Sequence, residues 1–226
     1  MSKSPNPNWK LGDKIEVPIF EMQTLTPNEM EVKDVYKLLI GSVVPRPIAF
    51  VSTISKDAVV NLAPFSFFNA VCSNPPTLML ALSKKPISNK NKDTAQNILD
   101  TKEFVVNIAS DWLIEPLVHT AGGFAEEVNE MEVAGLTPLA SEVVKPPRVK
   151  ESPIHFECKL EKTINLGEGE LGSTTVFFGK IVKAHIIKDA YDNGRVDFNK
   201  IRAVGRLGGF QYGLINEIFE LKPPVV

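Results

Sequence analysis

A lysine-rich segment, residues 83–96 (SKKPISNKNKDTAQ), carries the residue types that bind a phosphate group. It holds four lysines and one aspartate, in a chain whose formal net charge is −2. Asp93 and Gln96 stand three residues apart, as in a capping box, so we expect a helix to begin there. Lysine ammonium groups, serine hydroxyls and free N–H groups at a helix N-terminus together form an anion site. A solvated lysine loop is the alternative, but the order of buried strand, cationic loop and capped helix favours the phosphate site.

A proline-flanked arginine stands at the start of a strand-like run. Prolines on both sides of Arg46 hold it in extended geometry, and residues 48–54 (IAFVSTI) that follow are rich in strand-forming side chains. Ser52 and Thr53 add two adjacent hydroxyls. The sequence therefore predicts Arg46 at the mouth of a strand that carries two hydroxyl groups.

Residues 61–76 (NLAPFSFFNAVCSNPP) mix aromatic side chains with Asn and Ser. Because Pro64 cannot donate to a strand ladder, free backbone groups are expected beside these aromatics, and such a surface suits a planar ligand with polar edges. The alternative, which this segment taken alone favours, is an irregular edge strand whose aromatics fill the core.

Two patterns resemble functional motifs but do not fit their context. Residues 167–172 satisfy G-x-G-x-x-G, yet that fingerprint must open a helix, and here it leads into the β-branched and aromatic run 173–178. We interpret it as a glycine-rich connection between strands. His155 and Cys158 point to opposite faces of an alternating strand and cannot share a metal ion. We assign no metal ligand and no catalytic side chain, because no nucleophile motif or ligand cluster is found.

Strands dominate the predicted elements. In chain order these are a helix over 31–40 ended by Gly41, a hairpin from 48–54 to 59–60, buried strands at 77–82 and 104–108, an alternating strand at 154–161, a long strand at 174–187, and helices at 93–99 and 111–119. The alternation in 154–161 places even positions in the core and odd positions in water. Short strands with hairpin-length connections predict a mainly β, antiparallel barrel with peripheral α-helices rather than a parallel sheet.

The composition describes a single domain of residues 31–226 preceded by a proline-rich N-terminal arm, residues 1–30. With 25 basic and 27 acidic residues, the chain has no global positive field, and nucleic acid is not indicated as a partner. Two cysteines are too few for a disulfide framework. No stretch approaches the length of a membrane span, and the first seven residues lack an apolar region. We therefore expect a cytoplasmic protein with no membrane partner.

Three motifs in order resemble the flavin reductase-like, FMN-binding split-barrel family, and within it the flavoredoxin-type branch. They are PRPIAFVST (45–53), NLAPFSFFN (61–69), and a Pro-Pro pair at 75–76 leading to Lys-Asp-Thr at 92–94. A later segment, GRLGGFQY (205–212), resembles the C-terminal part of that branch. The resemblance covers about residues 30–215 and leaves the arm outside it.

The resemblance implies an antiparallel split β-barrel of Greek-key topology, usually a homodimer, with FMN near the subunit interface. Carried over by position, the residues that border the ring would be Ser66, Phe67, Phe68 and Asn69, those near the ribityl chain Ser52 and Thr53, and those around the phosphate Ser83, Lys84, Lys92, Asp93 and Thr94, with Arg46 nearby. Some catalytic relatives carry a histidine close to the strand that begins here at 173–175. This chain has none at that point, which weakens the inference of nicotinamide binding.

Flavin carries redox chemistry itself, so an enzyme of this kind needs no acid–base pair. The leading hypothesis is an FMN-binding oxidoreductase that passes hydride from NAD(P)H to flavin and electrons on to an acceptor, with N–H donors of residues 66–69 stabilising charge on the reduced ring. The alternative is an FMN-binding electron carrier that receives electrons from a partner protein and lacks nicotinamide reductase activity. A split-barrel module for another ligand such as haem is a third hypothesis, which the scattered histidines favour least.

Overall fold

The structure, a computed structural model, describes residues 4–15, 17, 21–85 and 88–224. Pro86 and Ile87 of the lysine-rich segment and parts of the N-terminal arm lie outside the described residues. The helices are α1 (Val32–Ser42), α2 (Asp93–Thr101), α3 (Ile114–His119), α4 (Glu130–Val133) and α5 (Phe198–Ile201), with short 3-10 turns at Pro27–Glu29, Asp111–Leu113 and Lys188–Ala190. The strands are β1 (Arg46–Pro47), β2 (Ala49–Ile54), β3 (Val60–Phe65), β4 (Phe68–Ser73), β5 (Pro76–Ser83), β6 (Glu103–Ile108), β7 (Pro138–Leu139), β8 (Arg148–Val149), β9 (Ile154–Leu166), β10 (Thr174–Ile186), β11 (Tyr191–Asp192), β12 (Arg195–Val196), β13 (Val204–Arg206) and β14 (Tyr212–Leu214).

Seven strands form one antiparallel sheet in the order β3-β2-β6-β9-β10-β5-β4. Its two edge strands, β3 and β4, are joined directly by Ser66 and Phe67. A flat sheet of this width would separate its edges by about 29 Å at about 4.8 Å per strand, whereas three residue steps reach about 10 Å. The sheet must therefore curl so that its two edges approach each other at this crossing. The backbone N–H of Ala81 in β5, the strand next to the β4 edge, donates to the carbonyl of Phe67 at 2.8 Å and ties the crossing to that side of the sheet.

The curled sheet separates two apolar cores. Alternate residues of β2 point to opposite sides, so Val51 packs in a cluster with Leu80 and Phe104, while Phe50 packs in another with Leu113. All five side chains are almost completely buried. The first cluster is covered by α2, and the second by α3 and α4. Helices α2 and α3 were expected from the sequence, whereas α4 was not predicted.

A small sheet, β1-β13-β14, brings the C-terminal motif onto the arginine segment. Arg46 of β1 pairs with Arg206 of β13, and Arg206 pairs in turn with Tyr212 of β14. Residues 160 positions apart in sequence are therefore direct neighbours.

The predicted strands and the helix at α2 are confirmed within a few residues, and the glycine-rich segment connects β9 to β10 as expected. The predicted end of α1 at Gly41 is wrong, because the helix continues to Ser42. A Cβ placed on Gly208 would lie 3.3 Å from the Gly41 Cα, so the two glycines permit a close approach between α1 and the C-terminal loop.

Two of the odd positions of β9 are buried, although the alternation predicted that the odd positions meet water. His155 and Glu157 are buried, with relative exposures of 6% and 0%. The segment between β7 and β8 covers them: Glu157 accepts hydrogen bonds from the backbone N–H groups of Glu142, Val143 and Val144 at 2.6–3.1 Å. The alternation predicted the orientation of these side chains correctly and missed the loop that lies over them.

The described part of the N-terminal arm is mostly exposed and contains no strand. The division at residue 31 stays a prediction. In the described ranges, no helix combines the length and apolar character needed to cross a membrane.

Candidate functional site

A cleft opens where the Ser66–Phe67 crossing, α1 and the small sheet meet. We call it the cationic cleft; its volume is about 210 Å³. Its lining residues are Tyr36, Ile40, Arg46, Ile48, Pro64, Phe65, Ser66, Phe67, Ala81, Ser83, Lys92, Leu117, Ala121, Arg206 and Tyr212. A second groove of about 480 Å³ runs along the start of α2, and we call it the α2 groove. Pro64, Phe65, Lys92 and Ala121 line both, so the two spaces adjoin each other.

The cationic cleft carries three basic side chains, and its lining contains no Asp or Glu. Within the described chain, Arg46, Lys92 and Arg206 form no salt bridge with any carboxylate. Uncompensated like charges along one concave wall raise the local concentration of anions. The cleft is therefore suited to a ligand that carries negative charge.

Arg46 is buried, and its nitrogen atoms donate hydrogen bonds to other groups of the protein. Its Nη1 donates to the carbonyls of Ile40 and Val43 at 2.6 Å each, and Nη2 donates to the carbonyl of Leu207 at 2.9 Å. Its Nε donates to the hydroxyl of Ser66 at 3.3 Å. Burial lowers the pKa of Arg46 from its ordinary value. The side chain ties the end of α1, the C-terminal loop and the strand crossing together.

Lys92 stands where the two spaces join. Its Nζ lies 5.4 Å from the centre of the Phe65 ring, a favourable cation–π geometry, and burial lowers its pKa. It is the N-cap residue of α2, and no described side chain caps this end of the helix. The N–H groups of the first turn are thus left for another acceptor.

The predicted capping box is wrong. The helix begins at Asp93 itself, and the Asp93 carboxylate forms a salt bridge with the Lys85 ammonium group at 2.8 Å. Gln96 accepts instead from the Asn91 side chain at 3.1 Å. Because both side chains have other partners, the helix end keeps its positive character.

A buried polar network forms the inner wall of the α2 groove. Thr94 donates its hydroxyl to Asn61 at 2.8 Å, and the Asn61 amide donates to both oxygens of Glu130 at 3.1 Å. The N–H of Leu62 donates to the same carboxylate at 2.9 Å. This network fixes Thr94 at the start of α2.

The aromatic segment divides between the cleft and the core. Ser66 and Phe67 line the cationic cleft, and the Phe67 ring lies 6.4 Å from that of Tyr36, centre to centre. Phe68 packs in the cluster that contains Val51 and Leu80, and Asn69 is exposed and accepts from the Ala70 N–H at 2.9 Å. Of the four predicted ring neighbours, the structure brings two to the cleft.

Ser52, Thr53 and Lys84 lie away from the cationic cleft. Ser52 is fully buried and donates to the Pro147 carbonyl at 2.5 Å, and buried Thr53 accepts from the Asn97 amide at 3.1 Å. Lys84 lines a separate cleft beside the glycine-rich connection. Ser83 does reach the cationic cleft, and its hydroxyl lies 3.0 Å from that of Thr174. The roles assigned to all these residues stay predictions.

Three polar or charged side chains that line the cleft were given no role by the sequence: Tyr36, Arg206 and Tyr212. Arg206 and Tyr212 belong to the C-terminal motif. Because they lie far from Arg46 in sequence, the sequence did not predict that they would line the same cleft. The β1–β13 pairing is what places them beside Arg46.

Comparison with known proteins identifies the family. The flavin reductase-like domain matches residues 40–203. An uncharacterized protein of Aquifex aeolicus (strain VF5) is 47% identical over 185 residues, which cover 81% of this chain and 91% of the relative. The chain therefore belongs to the flavin reductase-like family.

Solved structures agree with this placement. Nitrilotriacetate monooxygenase component B from Bacillus cereus aligns with a TM-score of 0.85 at 38% identity, covering 90% of this chain and all of that one. Pseudomonas fluorescens 2-nitrobenzoate 2-nitroreductase NbaA aligns at 0.80 and 30% identity, covering 89% and 96%. The flavoredoxin of Desulfovibrio vulgaris (Miyazaki F) aligns at 0.66 and 26% identity, covering 79% and 91%.

Proposed function

We propose that the protein is an FMN-binding oxidoreductase that takes hydride from NAD(P)H and passes electrons to an acceptor through flavin held in the cationic cleft. The observation that carries this proposal is the composition of the cleft. Three cationic side chains and several aromatic rings line it, and no carboxylate does. The resemblance to flavin-linked oxidoreductases supports the same conclusion. In this proposal the curled sheet is the split barrel of that family.

The phosphate of FMN fits the junction of the two spaces. Lys92 supplies a half-buried ammonium group there, and the uncapped first turn of α2 supplies N–H donors. Asp93 and Thr94 would contribute through their backbone, since their side chains are bonded to Lys85 and Asn61. A dianion at this point is stabilised by both the lysine and the helix dipole.

The flat ring system fits the aromatic side of the cationic cleft. Phe67 and Tyr36 offer apolar surface. The Ser66–Phe67 backbone, of which the Phe67 carbonyl is already bonded to Ala81, would offer its other polar groups at the edge of the ring. Flavin held there would supply the redox chemistry, with hydride from the nicotinamide taken up and electrons passed on to an acceptor. N–H donors of the Ser66–Phe67 segment would stabilise negative charge on a reduced ring.

An electron carrier without nicotinamide reductase activity is the second candidate. At the start of β10, where some catalytic relatives have histidine, this chain has Thr174, whose hydroxyl pairs with Ser83 at 3.0 Å. The similarity to a flavoredoxin supports this alternative. Its electrons would come from a partner protein.

A homodimer is part of the proposal. Val32, Tyr36 and Leu39 lie on one exposed side of α1 and are 46–54% exposed, which suits a contact between two copies beside the cleft. The cytoplasmic location expected from the sequence is also proposed. Light scattering during gel filtration tests the dimer.

Steady-state oxidation of NADH and NADPH by the purified protein, with and without added FMN, tests the function. Flavin-dependent turnover supports the oxidoreductase. Flavin that co-elutes with the protein but is reduced by neither nicotinamide selects the electron carrier. A protein that binds no flavin contradicts both.

A further inference from the structure

Two arginines face each other across the β1–β13 pair. Arg46 and Arg206 are register partners, and like charges directly opposite one another in adjacent strands are destabilising. After burial, the charge of Arg206 is among the causes that lower the pKa of Arg46. No carboxylate of the described chain forms a salt bridge with either one. This position therefore gains from a bound anion.

Of the two, Arg206 is the one that has donors to offer. The donors of Arg46 are directed at three carbonyls and the Ser66 hydroxyl. Arg206 donates from Nη2 to the Gly209 carbonyl at 2.5 Å, and its Nε and Nη1 form no hydrogen bond within the described chain. Each two-donor edge of a guanidinium includes Nη2. Because Gly209 takes only one of the two N–H hydrogens of Nη2, the second can form a two-point contact with a carboxylate, together with Nε or Nη1.

The Tyr212 ring lies against this guanidinium, and two further aromatic rings line the same cleft. The Arg206 Cζ lies 4.4 Å from the centre of the Tyr212 ring, and stacking of this kind restricts the orientation of the side chain. Tyr36 and Phe67 line the same cleft. The surroundings of Arg206 thus combine one directed cation with flat apolar surface.

We propose that Arg206, stacked on Tyr212, binds the carboxylate of a planar aromatic acid as the second ligand of the cleft. This inference rests on the proposed function, in which flavin occupies the same cleft with its phosphate at Lys92. The phosphate of a nicotinamide nucleotide shares the anionic chemistry, and the experiment distinguishes the two sources. Arg206 is then a residue that sets specificity for acidic over neutral ligands.

The test measures ligand binding through the visible difference spectrum of the FMN-saturated protein. Benzoate and benzamide form one matched pair, and nicotinamide mononucleotide and nicotinamide form the other. The variants are Arg206→Gln, Arg206→Lys, which keeps the charge but loses the fork, and Arg195→Gln, a control that removes a charge from the β11–β12 hairpin. FMN titration of each variant is measured first.

We expect wild type and Arg195→Gln to bind benzoate more tightly than benzamide. Arg206→Gln should weaken benzoate at least about tenfold, with Arg206→Lys in between, while benzamide and FMN stay within about twofold. Equal wild-type affinity for benzoate and benzamide overturns the inference even if the variants do not fold. The inference is also overturned if Arg206→Gln weakens the binding of nicotinamide mononucleotide alone, or if it abolishes the binding of FMN itself. Absence of FMN binding in wild type overturns the proposed function as well, so the two failures are distinct.

Discussion

Arg46 donates from Nε to the Ser66 hydroxyl at 3.3 Å, and this bond links the arginine to the two-residue crossing that brings the sheet edges together. The family resemblance implied that Arg46 lies near a phosphate. The structure gives its remaining donors to Ile40, Val43 and Leu207, so the side chain holds the wall of the cleft in place.

Replacing Arg46 with methionine is expected to lower the free energy of unfolding by about 3 kcal/mol, because carbonyls bonded to a buried charged donor lose their partner. Urea unfolding measures this change, and Arg195→Met, on the exposed β12 strand, is the control, expected within about 0.5 kcal/mol of wild type. If Arg46→Met is as stable as the control, the anchoring role is wrong.

Lys92→Ala is expected to weaken FMN about 10- to 100-fold, since a hydrogen bond to a charged group contributes about 1.5–3 kcal/mol. Riboflavin, which lacks the phosphate, should change by less than about threefold. Fluorescence titration of both flavins provides the comparison. Lys90→Ala, in the same loop, is the control. Equal weakening of FMN and riboflavin would exclude Lys92 as a phosphate ligand.

Lys84→Ala separates the sequence-based assignment from the structural one. Lys84 lines the cleft beside the glycine-rich connection. We therefore expect the FMN affinity of the Lys84→Ala variant to stay within about twofold of wild type. A selective loss of FMN relative to riboflavin in this variant would place the phosphate there instead.

Phe67→Ala is expected to weaken FMN and riboflavin by the same factor, about tenfold, because the ring contributes apolar and stacking contact and no charge. The same titrations measure it. Phe210→Ala changes a side chain that is 97% exposed and should leave both affinities unaltered. Unchanged binding in Phe67→Ala would remove this ring from the proposed flavin contact.

Glu157 is expected to make stability depend on pH in the acid range. Burial opposes its ionisation, but hydrogen bonds from the Glu142 backbone and His185 outweigh this and lower its pKa from 4.5 to about 2. A depressed folded-state pKa stabilises the fold above pH 4.5, and this contribution is lost as pH falls toward 2. Glu157→Gln should therefore cost on the order of 3 kcal/mol at pH 7 and progressively less below pH 4.5.

Urea unfolding of Glu157→Gln between pH 7 and pH 3 measures this dependence. Glu161→Gln, at an exposed position of the same strand, is the matched control. A stability difference that stays constant over this range would show that the charge of Glu157 contributes nothing.

Local patterns in the sequence predicted the elements well, since strand alternation and turn residues act over a few positions. The aromatic crossing and the cationic start of α2 were found because each is continuous in sequence. What could not be predicted depends on long-range pairing. Arg206 reaches the cleft only through β13, and the loop over Glu157 turns a predicted exposed carboxylate into a buried one.

Long-range packing also limited what the sequence could predict about Ser52 and Thr53 as site residues. Their hydroxyls follow the strand alternation, but whether either faces a ligand depends on what packs over β2. In the structure Pro147 and Asn97 take those positions.

A crystal structure of the protein grown with FMN tests the central claim most directly. We predict one FMN per chain, with its ring against Phe67 in the cationic cleft and its phosphate at Lys92 and the first turn of α2. FMN bound beside Lys84 and the glycine-rich connection, or a cationic cleft left empty at saturating FMN, would contradict the account.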